Sequence, residues 1–224
     1  VVLSTKRYRV EDTDIEMPDA TPMVQATRYF FRPFSVRDVE AQYDTEITVV
    51  EQDCLDTAEA MTAEGFQPAV LILASGQNPG GGVEIGSDAQ EEQLFVRSNL
   101  LLSLYPFKRS LSERYKLPVS DFQYPMDTNF GGIYTPGAFV FRQGKEQGYA
   151  YMEHPFSMAF IAVAGIRKGR INSPLNNWEE EITRNKIRTI LRIGIHEGHD
   201  SLVLGALACG AFHNDPVQIA RLFH

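Results

Sequence analysis

PAVLILASGQNPGGGVEIGSDAQEE, residues 68–92, decides how this chain is read. Its first half, Pro68–Ser75, is almost unbroken in apolar residues, as a strand covered on both faces should be. Three consecutive glycines follow, then seven residues, then Gln90-Glu91-Glu92 opening a helical pattern. Adjacent glycines let a backbone approach a ligand closely and take φ > 0 without steric cost. Two carboxylates at the far end of the same loop place acid/base groups beside that ligand. A strand, a glycine loop and a helix carrying paired carboxylates together predict a site that cradles a phosphate or sugar and does proton chemistry on it.

Outward from this stretch, strand and helix patterns alternate. Thr45–Gln52 alternates apolar and polar residues and reads as a strand; Cys54–Gly65 reads as a helix ended by glycine. From Ala89 the spacing of Leu94, Leu101, Leu102 and Tyr105 predicts one helix face, and residues 106–132 read as turn-rich surface loops. Strand patterns recur at Ala138–Phe141 and Ser157–Gly165. Ile187, Ile190, Leu191 and Ile195 mark an amphipathic helix with Gly198 as its C′ residue; Ser201–Leu204 is a strand, and Pro216 opens a last helix. The expected fold is a three-layer α/β domain with a parallel or mixed sheet. Residues 1–25, polar and punctuated by proline, read as a flexible or surface-draped segment ahead of one domain over 26–224. Ligands of such sheets bind beyond the carboxyl ends of the strands, so the loops 78–92 and 206–214 are expected as two walls of one cleft.

Composition narrows the classes. A chain of 224 residues that is 43% hydrophobic can build a full single-domain core. No apolar run reaches the ~20 residues that cross a bilayer, and no secretory leader pattern is present. The chain starts at Val1 without methionine and so reads as trimmed or as a fragment. Two cysteines, Cys54 and Cys209, make no disulfide framework, which points to an intracellular setting, cytoplasmic or nuclear. A net charge of −8 argues against direct nucleic-acid binding. An acidic protein can still hold a diphosphate on backbone N–H groups at a helix N-terminus. His196-Glu197-Gly198-His199 is one residue short of a zincin spacing and straddles a helix-ending glycine, so it reads as a C-cap; neither a metal nor a cofactor is expected. Trp178, near a helix start, reads as core or staple.

The spacing GGG, seven residues, QEE resembles the signature of the microbial-type poly(ADP-ribose) glycohydrolases, a branch of the macrodomain superfamily. HDSLVLGALACGAFHNDP (His199–Pro216) is similar to that family's strand and diphosphate loop, and IYTPGAFVFRQ (Ile133–Gln143) to its middle segment. The likeness runs in order over residues 45 to 217. It implies a three-layer α/β/α macrodomain-like fold and a hydrolase that cuts ribose–ribose bonds of poly(ADP-ribose) from the chain end. It further implies that Asn78, Gly80, Gly81 and Gly82 hold the distal ribose, and that Gln90 and Gly205 also bind ADP-ribose. Cys209, Gly210, Ala211, Phe212 and His213 would wrap the diphosphate, with Phe212 packed against the distal ribose. Asp53 falls where such proteins often place an adenine-binding acid, or is a surface acid. Relatives more often carry glycine at position 208, and a small or basic residue at 213.

By the same resemblance Glu91 accepts hydrogen bonds from ribose hydroxyls and Glu92 protonates the leaving oxygen. Neighbours on a helix point about 100° apart, so the two glutamates cannot flank one bond symmetrically and must take distinct roles. A helix N-terminus favours an ionised carboxylate, while burial, an adjacent like charge and a bound diphosphate favour a protonated one. Two other readings stay open: a hydrolase of mono-ADP-ribosylated side chains, and a reader that binds ADP-ribose without turnover.

Overall fold

The structure, a computed structural model, describes residues 2–36 and 44–224. Helix α1 (Val2–Thr5), the hairpin β1 (Arg7–Val10) and β2 (Thr13–Glu16), and helix α2 (Thr21–Ala26) come first. Strand β3 (Arg28–Phe30), helix α3 (Cys54–Ala63) and strand β4 (Pro68–Leu73) follow. Helices α4 (Gln90–Arg97), α5 (Leu101–Leu104) and α6 (Arg109–Tyr115) lead to the long strands β5 (Gly132–Arg142) and β6 (Tyr151–Val163). Helix α7 (Asn177–His196), strand β7 (Ser201–Val203) and helix α8 (Pro216–Phe223) complete the chain.

Five strands form one mixed sheet in the order β3-β5-β6-β4-β7. Strand β4 runs parallel to both neighbours, Ala69 opposite Ala159 on one side and Leu202 on the other. The β3–β5 and β5–β6 pairs are antiparallel. Successive residues of β4 enter different cores. Val70 and Ile72 pack with Leu55 and Ala58 of α3 and Leu94 and Phe95 of α4. Ala69 and Leu71 pack with Ile187, Ile190 and Ile193 of α7 and Ile219 and Leu222 of α8. Both faces are covered, so the strand must be apolar throughout. The result is the expected α/β/α layering.

Caps set the helix ends that frame the site. Asp53 N-caps α3 through Leu55 and Asp56, and Gly65, at φ +98°, closes it; Gly65 N–H reaches Thr62 O and Phe66 N–H reaches Met61 O. Gly198, at φ +82°, ends α7, and Asp215 caps α8 ahead of Pro216. His199 bonds Tyr134 Oη and Gln67 O, so the His-Glu-Gly-His run is a helix end. Ahead of β3, Tyr8 stacks on Tyr151 beside Phe139 and Phe141, and buried Met23 joins the core that holds α3 and α4.

Four expectations fail. Thr45–Gln52 is no strand: Ile47 and Val49 are 84% and 93% exposed, so the alternation buries nothing and has no sheet partner. The helix from Ala89 breaks at Ser98. There the backbone turns extended, Ser98 bridges to Val140, and Asn99 exchanges bonds with Phe139. A loop expected at 106–132 contains α6. Trp178 is 67% exposed, neither core nor staple. No helix among the described residues is long and apolar enough to cross a membrane.

Candidate active site

Strands β4, β6 and β7 are parallel, so the loops after them leave one edge of the sheet. The loop after β4 carries the glycines and meets the first turn of α4. Glu91 and Glu92 are only 3% and 8% exposed there. Glu91 accepts hydrogen bonds from the N–H groups of Ser75 (2.6 Å) and Gly80 (2.9 Å). Glu92 accepts from Gly82 N–H (2.8 Å) and, as the capping-box residue of α4, from Ala89 N–H (3.2 Å). The two carboxylates thus anchor to different stretches of one loop, as their helical spacing requires.

This geometry revises the reason for the glycines. Space for a ribose is not their first need. A Cβ on Gly81, which sits at φ +56°, would lie 2.2 Å from Glu92 Oε1 and 3.1 Å from Glu91 Oε2. A Cβ on Gly80, at φ +78°, would strike the Phe95 ring at 2.7 Å. Gly81 thus leaves room for the two carboxylates, Gly80 for the Phe95 ring, and Gly82 for Ser87 Oγ, 2.3 Å from where a Cβ would sit. Burial pushes Glu91 up to about 8; its two backbone donors pull downward, and the charge of Glu92 adds a smaller push up. Burial thus favours the protonated form of Glu91, against the two backbone donors that favour the ionised one.

Gln90, expected among the ligand contacts, is committed elsewhere. Its Oε1 accepts from Leu73 N–H and its Nε2 donates to Leu71 O, both at 2.8 Å. Strand β7 pairs with β4 only to Val70, so the Gln90 amide takes the next places on that edge as a strand residue would. Asp53 is held too: its Oδ1 takes the α3 N–H groups and the guanidinium of Arg97, itself 3% exposed. Burial pushes the Cys54 thiol beside it up to about 11, so that sulfur stays a thiol.

Staples hold the carboxylate loop from outside. Glu84 bonds Arg114 and Tyr115 on α6, and Asp88 bonds Lys145 and Tyr149 on the β5–β6 connection. Asn78 is exposed at the loop's start, its Oδ1 accepting from Lys108. Beneath the loop, Met126 N–H reaches Gly76 O at 2.9 Å, and buried Lys186 of α7 holds the carbonyls of Asp127 and Gly131.

The loop after β7 brings together Gly205, Cys209, Gly210, Ala211, Phe212 and His213. Ala208 takes φ +60°, the conformation glycine adopts most cheaply. His213 takes φ +64°, and its Nδ1 is buried without a hydrogen-bond partner among the described residues. Asn214, 1% exposed, ties the loop together: its Nδ2 donates to Ile166 O (2.6 Å) and Ala208 O (2.9 Å). Lys168 N–H adds a bond to Phe212 O, and the Arg167 guanidinium lies 5.8 Å from the Phe212 ring. Sequence reasoning missed Lys108, Arg97 and Asn214. Asn214 reads as an ordinary residue before a helix cap, and nothing local signals that it ties its own loop to the one after β6.

Comparison with known proteins agrees with the motif. The family described as microbial-type PARG, catalytic domain, matches residues 1–143. The poly(ADP-ribose) glycohydrolase of Thermomonospora curvata is 29% identical, with a TM-score of 0.77 over 99% of this chain and 81% of that one. Its complex with the inhibitor ADP-HPD gives a TM-score of 0.76 at the same identity and coverage. The Deinococcus radiodurans glycohydrolase in complex with ADP-ribose is 22% identical and shares the fold, with a TM-score of 0.68 over 93% of this chain and 84% of that one. No curated protein matches the chain.

Proposed function

This chain belongs to the microbial-type poly(ADP-ribose) glycohydrolases, and from that premise we infer how its own residues cut the polymer. It is a hydrolase of the ribose–ribose O-glycosidic bond. We propose that it acts from the chain end and releases ADP-ribose. The observation that carries the residue roles is the pair of buried carboxylates seated on the backbone of the Gly80–Gly82 loop.

In this reading the distal ribose lies over that loop, with Asn78 beside it. Glu91 accepts hydrogen bonds from the ribose hydroxyls. Glu92 gives a proton to the bridging oxygen as its bond to the anomeric carbon breaks. An oxocarbenium-like centre forms, water adds to it, and the proton lost by that water restores Glu92. The loop Gly205–His213 offers backbone N–H groups to the diphosphate, and Phe212 packs on the ribose. Asp53 remains our candidate for the adenine side, at the N-terminus of α3. The partner is polymer attached to modified proteins. An intracellular setting fits the free thiols of Cys54 and Cys209.

Sizing the early products from purified poly(ADP-ribose) tests this directly. Monomeric ADP-ribose from the first time points supports end-cutting; short oligomers appearing first would contradict it. Release only from mono-ADP-ribosylated protein would overturn the polymer assignment.

A further inference from the structure

Lys108 stands outside every role given so far, yet it reaches into the carboxylate loop. Its backbone is fixed where α6 begins: its N–H bonds Tyr105 O, and its carbonyl accepts from the N–H groups of Leu111 and Ser112. From this base its Nζ donates to Gln77 O at 3.0 Å and to Asn78 Oδ1. The rest of Asn78 is committed as well. Its N–H donates to Ser75 Oγ at 3.2 Å, and its carbonyl accepts from Gly81 N–H at 3.0 Å.

The chemistry of the pair fixes an orientation. A lysine ammonium has three donors and no acceptor, so the atom of Asn78 facing it must be the carbonyl oxygen. The amide nitrogen, with its two hydrogens, is then the group left for a ligand. We propose that Lys108 is a positioning residue. It turns Asn78 so that a hydrogen-bond donor faces the distal ribose, opposite the acceptor Glu91. A hydroxyl can donate to Glu91 while accepting from Asn78, so the pair selects a sugar hydroxyl over an apolar group. This rests on the glycohydrolase reading, because it takes Asn78 to lie beside the distal ribose.

Calorimetric titration of ADP-ribose and of ADP, which lacks that ribose, tests it. The proteins needed are the wild type, Lys108→Met, Lys108→Arg, Asn78→Ala and the Lys108→Met/Asn78→Ala double variant. Lys108→Met should weaken ADP-ribose binding about tenfold, the worth of one net hydrogen bond, and leave ADP binding unchanged. Lys108→Arg should restore part of the loss, and Lys108→Met should cost nothing further once Asn78 is alanine. Equal weakening for both ligands would overturn the proposal and make Lys108 a charge partner of the diphosphate. A Lys108→Met loss that persists in the Asn78→Ala background would overturn it too, as would wild-type affinity in Lys108→Met. Wild-type protein that binds ADP but not ADP-ribose would sink the functional reading itself, and this proposal with it.

Discussion

Replacing Gly81 by alanine should separate the geometry of the acid site from the stability of the loop. The new Cβ would lie 2.2 Å from Glu92 Oε1, where ordinary contact begins near 3.4 Å. The carboxylate must therefore retreat by ~1 Å, which breaks its 2.8 Å bond to Gly82 N–H. A misplacement of ~1 Å in a catalytic group costs about 100-fold in rate. The left-handed backbone adds strain of about 1–2 kcal/mol, because φ is +56°. For a chain of this size that lowers the melting temperature by about 2–8 °C. Gly86→Ala is the matched control: Gly86 sits at φ +82° in the same loop, but its Cβ would meet nothing within 4 Å. Both variants should lose the strain energy in thermal unfolding, and Gly81→Ala about 1 kcal/mol more for the broken hydrogen bond. Only Gly81→Ala should lose polymer hydrolysis, by about 100-fold in kcat/KM. Gly81→Ala protein with activity within a few-fold of Gly86→Ala would refute the idea that Gly81 makes room for the carboxylates.

Other consequences follow from the same contacts. Glu91 is raised from 4.5 to about 8, so the folded protein holds a proton that the unfolded chain has lost. Its contribution to stability must then fall as pH rises from about 4.5 to 8 and level off above, by at most about 5 kcal/mol. Denaturant unfolding of wild type and Glu91→Gln at pH 5.5 and 8.5 should show the wild type losing ground, and a constant difference would contradict this. Asn214→Ala removes two short bonds to the half-buried carbonyls of Ile166 and Ala208, so it should cost about 2–3 kcal/mol and weaken ADP-ribose binding. Asn214→Asp, which cannot donate, should be no better, and calorimetry beside thermal unfolding reads both effects. Gln90→Leu should destabilise the protein by about 2 kcal/mol through the unpaired Leu71 and Leu73 groups. Its affinity for ADP-ribose should change less than that of Asn78→Ala.

What the sequence made legible is the part written in local chemistry. Strand β4 shows in its apolar run, α3 and α7 in their glycine stops, and the carboxylate loop in a spacing no ordinary turn needs. Alternation misled at Thr45–Gln52, because a period of two is equally available to an exposed chain; only a partner strand distinguishes them. The helix from Ala89 kept its apolar spacing across Ser98 and Asn99. There a tertiary contact, pairing with β5, outweighed continuation of the helix. At the site, the residues that touch across the fold stayed hidden. Lys108, Arg97 and Asn214 act on groups about 30, 44 and 48 positions away, and such reach leaves no local mark. Gln90 shows the reverse case, a motif residue whose work is structural.

The central claim is that Glu92 delivers the proton while the rest of the site binds. ADP-ribose release from poly(ADP-ribose) by wild type and Glu92→Gln, measured beside ADP-ribose affinity, tests it most directly. Glu92→Gln is expected to bind ADP-ribose within a few-fold of wild type and to release almost none from polymer. Substantial release by Glu92→Gln, with Glu91→Gln inactive, would place the acid on Glu91 and contradict it.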